Sequence, residues 1–513
     1  MKRRRLLWHP GQVIAMNSTA GLAGLIPVAI FLIVTLVVAV VARRQAATGA
    51  QGGFISEYFL GNRSLGPFVL AMTTIATYGS VSSFVGGPGQ AWSIGWGWVY
   101  MATVQVTALF LLYGILGKKM ALVSRKLGSV TVIDVIRERY QSNALATLSA
   151  IIMVVFFATT MIAQFVGGAK LFEAVTGYSY VTGLAIFGIT CILFTTIGGF
   201  RGVAFTDALC GIAMIVGICV LAGGILSAGG GYENIMDTIA ANHPQMMEPL
   251  SGGNMPIGLY FTQWLLVGVF TFCLPQSVVR TMSYKDTKSL HNAMIWGTVI
   301  CGAMMIGVTA LGVLSAGILP GALADYGGSV DNIIPTAIVQ SLPPWLAGIA
   351  IIGPIAASIS TVSSLLIASS SAIIKDLWLH HAQETGKQPP ENTIVRSSQI
   401  ITFVIGVVVF VLSIVPPDVI WKINMFAFGG LETAFCWVLV GGLFWKRANK
   451  MGALLSMGGG TLAYCVAMAL GFKIAGLHQI TIGITVALVL MIVGSLATKP
   501  TDKKALEAFF PEK

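Results

Sequence analysis

Apolar residues in this chain gather into long runs instead of alternating or recurring on one face of short helices. A helix crosses the hydrocarbon core of a membrane in about 20 residues. Thirteen runs meet that length: 23–43, 67–89, 96–117, 145–174, 180–200, 203–228, 257–281, 290–319, 343–375, 397–415, 418–445, 452–471 and 477–497. The pattern predicts an all-α integral membrane protein with about thirteen transmembrane helices. Several runs are longer than a crossing needs, which predicts tilt or breaks. Between them, the loops 229–256 and 320–342 are polar and contain no Lys or Arg. Within the second, Asp331–Gln340 reads as a short surface helix. The loop 378–396, with Gly386, Pro389 and Pro390, is the most linker-like. No segment resembles a folded soluble domain.

Composition agrees and excludes several classes. Of 513 residues, 56% are hydrophobic and 10% charged, where soluble chains carry about 25% charged residues. A soluble enzyme, a disordered scaffold and a nucleic-acid binder are all excluded. The net charge of +11 belongs to membrane orientation. With the C-terminus in the cytoplasm, thirteen spans put the N-terminus outside, and 23 of the 30 basic residues fall on the cytoplasmic side, as the positive-inside rule requires. Lys170, Lys422 and Lys473 fall outside. The other four, Lys2 to Arg5, sit in an N-terminal tail that does not fit there, and Met16 is the expected start of translation. The seven cysteines lie in apolar stretches without metal-ligand spacing and read as buried, inert thiols. No GxxxxGK[ST] loop is present to bind a nucleotide phosphate.

Irregular backbone at membrane depth persists only where it is buried in protein or lines a cavity. Two runs carry helix-breaking residues. The second holds Thr77, Ser80, Ser82 and Ser83, followed by Gly86-Gly87-Pro88-Gly89; the seventh holds Pro275 in Phe272-Cys-Leu-Pro-Gln276. Each break opens a set of five runs, 67–228 and 257–445. Five is odd, so the second set enters from the opposite face. This is the logic of an inverted-repeat secondary transporter with a midplane site. The remaining divisions are a tail (1–22), an extra first span with its loop (23–66), an outer loop (229–256), two added spans (446–497) and a C-terminal tail (498–513). In the ninth run, Ala357, Ser360, Thr361 and Ser364 share one helical face. Their hydroxyls, facing carbonyls freed near Ala76–Gly79, could coordinate sodium, which prefers hard oxygen ligands. The alternative is that these hydroxyls bond back to their own helix.

At these residues the chain resembles the sodium:solute symporter family. The similar stretches are Glu57-Tyr-Phe-Leu-Gly-Asn-Arg-Ser-Leu-Gly66, Phe84-Val-Gly-Gly-Pro-Gly89, Gln164-Phe-Val-Gly-Gly-Ala-Lys-Leu-Phe172, Gly198-Gly-Phe-Arg201, Ser283-Tyr-Lys-Asp-Thr-Lys288, Ile374-Lys-Asp-Leu377, Ala427-Phe-Gly-Gly-Leu-Glu432 and Gly442-Leu-Phe-Trp-Lys-Arg447 with Gly452-Ala453. The broken helix and Ala427–Glu432 are most similar to the family's pantothenate-carrying branch. The resemblance implies the 5+5 inverted-repeat fold first seen in a bacterial leucine transporter, with one span before the core and two after it. It implies no enzymatic activity, import of pantothenate or a similar small carboxylate with sodium as the co-transported ion, and a monomer sufficient for transport. It places sodium on the carbonyls of Ala76, Gly79 and Ala357 and the hydroxyls of Ser360 and Thr361. Some members bind a second sodium, for which Ser364 and Asp207 are candidates.

A carboxylate with an amide and two hydroxyls calls for hydrogen-bonding neutral groups and helix N-termini. The candidates are Thr77, Tyr78, Ser80, Ser82 and Ser83 at the first break, Thr160 and Gln164 on the fourth run, Thr271 and Gln276 beside Pro275, and Asn424 on the eleventh. Helix packing is the competing role for each. No Lys or Arg is expected deep in these segments. Two acids, Asp207 and Glu432, fall within spans, where ionisable groups are costly and usually functional; both are candidates for coupling or gating. The rival readings are the same machine carrying a monocarboxylate, proline or a sugar, and a channel. A membrane transferase is disfavoured because no His, Ser and Asp cluster recurs at one depth.

Overall fold

The computed structural model describes residues 18–47, 65–387 and 389–510. The tail with Met16, residues 57–64 of the first family-like stretch, Arg63, and the side chains of Arg43, Arg44 and Arg201 lie outside what it describes.

Among the described residues, twelve helical segments are long and apolar enough to cross a membrane, and a thirteenth crossing is made by a pair bent by 63°. In order they are Ala23–Val41, the bent pair Pro67–Tyr78 and Ser82–Ile94, Trp96–Leu127, Asn143–Thr176, Tyr180–Gly199, Gly202–Ala228, Ile257–Met282, Thr287–Ile318, Pro344–Glu384, Glu391–Leu412, Ile420–Phe444, Lys450–Ala469 and Ile480–Ala497. All thirteen expected spans are present. The second and seventh, which open the two sets of five, are the discontinuous ones.

Burial orders the spans. The ninth is 89% buried over its apolar window, against 28% for the first and 22% for the tenth. The ninth therefore forms the axis, and the first and tenth lie at the periphery. Ile26, Ile30 and Ile33 point outward from one face of the first span, a surface suited to lipid. Lipid tails are as apolar as leucine, so contact between these helices depends on close packing. At the crossing of the sixth and ninth spans, a Cβ on Gly217 would meet the Gly353 Cα at 2.8 Å and the Ala350 carbonyl oxygen at 2.9 Å. Only glycine allows the two backbones to approach this closely. The fifth and sixth spans meet end to end at Gly199, whose φ of 59° interrupts the helix.

Three sequence expectations change. The stretch expected as a surface helix is buried: Val330–Asn332 forms a 3-10 turn and Ile333–Ser341 a helix, with Ile333, Ile334, Ala337 and Ile338 in the core. Its apolar residues recur at i, i+1, i+4 and i+5, a face that packs. The ninth span continues past residue 375 through a π-helix, Ala372–Leu379, to Glu384. Cysteine burial is incomplete, since Cys219 is exposed and Cys465 half-buried.

The loop after the third span folds into a helix, Val132–Tyr140, whose start Thr131 caps by accepting the Asp134 amide at 2.9 Å. This helix lies on the face that carries most of the basic residues, called the basic face below. There Lys375 Nζ bonds both Asp134 carboxylate oxygens, at 2.6 and 2.8 Å. Burial raises the Asp134 carboxyl, but Lys375, the Val130 amide and Arg137 outweigh it and hold it below the usual carboxylate value. The opposite face has its own tie: Lys170 Nζ meets Asp331 Oδ2 at 2.9 Å, and that oxygen also accepts the Ile420 amide at 3.1 Å.

Candidate functional site

The first break begins where the helix Pro67–Tyr78 ends and Gly79 turns extended, at φ −70° and ψ 128°. The Ser83 amide, which would serve the Gly79 carbonyl in a continuous helix, donates to Ser80 instead, at 2.9 Å. The Ala76 and Gly79 carbonyls face the ninth span. Ser360 Oγ lies 2.8 Å from the Ala76 oxygen and 3.1 Å from the Ala357 oxygen. Thr361 Oγ1 lies 3.2 Å from the Gly79 oxygen and 2.9 Å from the Ala357 oxygen. All five residues are buried.

The five oxygens have only two hydroxyl protons among them, and each carbonyl has two lone pairs. The cluster is rich in acceptors, dry and free of carboxylates. A monovalent cation of hard character fits this donor set. Back-bonding and cross-helix bonding, alternatives in the sequence, occur together: both hydroxyls are shared between the Ala357 carbonyl on their own helix and a carbonyl of the broken span.

One helical turn toward the basic face lies a feature the sequence reading did not anticipate. Arg280, one of the 23 basic residues assigned there to the cytoplasmic side, is 1% exposed within the helix Pro275–Met282. The expectation of no deep cation is therefore corrected. Its Nε donates to Thr77 Oγ1 at 2.9 Å, and its Nη2 to Asp207 Oδ2 at 3.0 Å and to Ser364 Oγ at 2.5 Å. Thr73 Oγ1 also donates to Asp207 Oδ2, at 2.8 Å. Asp207 and Ser364, candidates for a second ion, thus share a cation that is part of the chain.

The two breaks are joined. The Tyr78 hydroxyl donates to the Val267 carbonyl at 2.6 Å, within the π-helix Leu265–Val269 of the seventh span. That span then runs through a 3-10 turn, Phe270–Cys273, and leaves helical geometry at Leu274, which is extended (φ −62°, ψ 121°), before Pro275 starts a new helix. Gln164 Oε1 accepts the Val81 amide at 2.9 Å, which satisfies a donor at the start of the second half-helix.

The other substrate candidates divide into two groups. Thr160 and Thr271 bond back to their own helices, through Phe156 and Gly268. Ser82 Oγ, Gln276 Oε1 and Asn424 Oδ1 are buried oxygens without a hydrogen-bond partner among the described residues. Their segments are neighbours: Gly86 approaches Trp421 at the start of the eleventh span, which packs along the Phe270–Cys273 turn. Ser80 is buried at the break and Ser83 half-buried beside it. Glu432, in the eleventh span, is fully buried, and neither carboxyl oxygen has a partner.

Comparison with known proteins follows the same lines. The model of the sodium:solute symporter family matches residues 58–460. The sodium/pantothenate symporter of Escherichia coli (strain K12) is 40% identical over 472 residues, covering 92% of this chain and 96% of that protein. The sodium/pantothenate symporter of Haemophilus influenzae (strain Rd) is 38% identical, covering 89% and 93%. Among solved structures, a substrate-bound, outward-open Na+-coupled sialic acid symporter superposes with a TM-score of 0.77 at 19% identity, covering 94% of this chain and 99% of that one. At that identity the likeness establishes a shared fold.

Proposed function

This chain belongs to the sodium:solute symporter family, and from that premise we propose that it imports pantothenate across the cytoplasmic membrane, driven by sodium. The observation that carries the reading is the convergence of five neutral oxygens, from Ala76, Gly79, Ala357, Ser360 and Thr361, between a broken helix and the most buried span. The two relatives named for sodium and pantothenate, each spanning about nine-tenths of this chain, support the substrate.

Sodium binds among the five oxygens and ties the first broken helix to the ninth span. Pantothenate binds at the two breaks, where Ser82, Gln276 and Asn424 offer buried oxygens with no protein partner. Residues 67–228 and 257–445 act as the two inverted halves, rocking around that site. The basic face is cytoplasmic, with the N-terminus outside and the C-terminus inside. The Lys170–Asp331 tie closes the outer end and the Lys375–Asp134 tie the inner end. A single copy contains the whole site.

The substrate is tested by uptake of radiolabelled pantothenate into cells producing the protein, with unlabelled proline, lactate or glucose as competitors. Unlabelled pantothenate alone should compete. Competition by proline, lactate or glucose at comparable concentration would move the assignment to that solute.

A further inference from the structure

A narrow chamber lies between the five-oxygen cluster and the basic face. The second half of the seventh span, the ninth span and the loop before the helix Val132–Tyr140 enclose it. Arg280 and Ser364 line it, as do Thr131, Ser371 and Asp376. Ser364 and Asp376 are twelve residues apart on one helical run, so the chamber extends on the order of 15 Å along it. It begins one turn below Ser360 and ends at the Lys375–Asp134 tie.

Asp376 is 1% exposed. Its Oδ1 accepts from Thr131 Oγ1 at 2.7 Å, and Arg137 donates to its backbone carbonyl. Among the described residues its Oδ2 has no hydrogen-bond partner, and Ser371 Oγ, also on the wall, has none either. Lys375 next to it is committed to Asp134, and Asp376 itself forms no ion pair among the described residues. The ninth span changes to a π-helix at Ala372. In an α-helix, residues five apart point well away from each other; the wider π turn, bonded i to i+5, brings Ser371 and Asp376 toward one side. A buried carboxylate without a countercharge is costly, and here a second unpartnered oxygen lines the same space.

We propose that Asp376, with Ser371 and Thr131, forms a second sodium station on the release path, occupied after the ion leaves the five-oxygen cluster. A carboxylate there would offer the cation a charge that the main cluster lacks, and the cation would supply the countercharge that the buried acid needs. The guanidinium of Arg280 stands between the two positions with its charge paired to Asp207, and Asp376 supplies the attraction beyond it. Opening the Lys375–Asp134 tie then exposes the station to the basic face. This station rests on the sodium-coupled reading above.

The test is inhibition of transport by sodium on the release side. Right-side-out vesicles are loaded with graded internal sodium chloride, and initial pantothenate uptake is measured at fixed external sodium. In Asp376→Asn, half-inhibition by internal sodium should require about tenfold more sodium or higher, because a charge has been removed from the station. The external sodium concentration for half-maximal uptake should change by less than about twofold. Asp376→Glu should restore the internal response. Ser371→Ala should shift it in the same direction by a smaller factor and serves as a second probe if the Asn variant does not fold. Unchanged internal inhibition in Asp376→Asn or Ser371→Ala, or equal shifts on both faces, would overturn the station. Wild-type uptake independent of sodium on both faces would instead reject the coupling on which it rests.

Discussion

Ser360 and Thr361 each supply one hydroxyl to the proposed ion, and each also ties the ninth span to the broken helix. Removing either hydroxyl deletes one of five ligands and leaves the others in place. Ser360→Ala and Thr361→Ala are each expected to raise the external sodium concentration for half-maximal uptake by about tenfold, the effect of roughly 1.4 kcal/mol; sodium titration of uptake checks this. Arg280 and Asp207 behave differently because both are buried and depend on each other. Arg280→Gln leaves Asp207 as an uncompensated charge and should destabilise the protein by about 3–5 kcal/mol. Adding Asp207→Asn should recover much of that loss. Thermal unfolding of the single and double variants measures it, and a double variant no more stable than Arg280→Gln would refute the pairing. Glu432 has no partner for either oxygen among the described residues, and burying an uncompensated carboxylate is costly, which favours the neutral acid. Glu432→Gln, a neutral residue of nearly the same shape, should therefore unfold at the wild-type temperature. If Glu432 carries a coupled proton, that variant should also lose the pH dependence of uptake.

At the scale of elements, the breaks were legible because glycine and proline announce them: Gly86 to Gly89 in the second span, Pro275 in the seventh. The stripe Ala357, Ser360, Thr361, Ser364 was legible because helical spacing places its members on one face. Arg280 was not. It stands three residues before Ser283 and close to Lys285 and Lys288, so it reads as an interfacial charge at a span end. Only the fold, which brings Asp207 of the sixth span beside it, explains its burial. The loop helix Val132–Tyr140 did leave a signal, since Thr131-Val-Ile-Asp134 has the spacing of a capping box. His478 is another element-scale device. Its amide donates to Thr262 Oγ1 at 3.0 Å, and its Nδ1 accepts the Ile480 amide at 3.2 Å, fixing the start of the last span against the seventh. Burial, with Lys473 nearby, lowers its imidazole pKa to about 4. The unfolded chain therefore binds this proton more readily, and the contribution of His478 to stability fades as pH falls from about 6.5. The thermal midpoint of wild type should exceed that of His478→Asn at pH 7.5, and the gap should narrow toward pH 4.5. A gap that widens on acidification would contradict this.

The whole molecule places most of its charges at the two faces, keeps the Arg280–Asp207 pair buried between them, and builds its central oxygen cluster from neutral groups. Ties at opposite ends, Lys170–Asp331 and Lys375–Asp134, are separated by a core that includes both breaks. In the proposed cycle these ties open in turn while the five-oxygen cluster holds the two moving parts together through the ion. Sodium coupling is the claim on which this account depends. It is tested most directly with purified protein in proteoliposomes, measuring pantothenate accumulation under an imposed inward sodium gradient and again with choline in place of sodium. The account predicts internal pantothenate rising above the external concentration only with the sodium gradient, and collapsing when the gradient is dissipated. Equal uptake in choline, or uptake that stops at equilibration while the gradient persists, would contradict it.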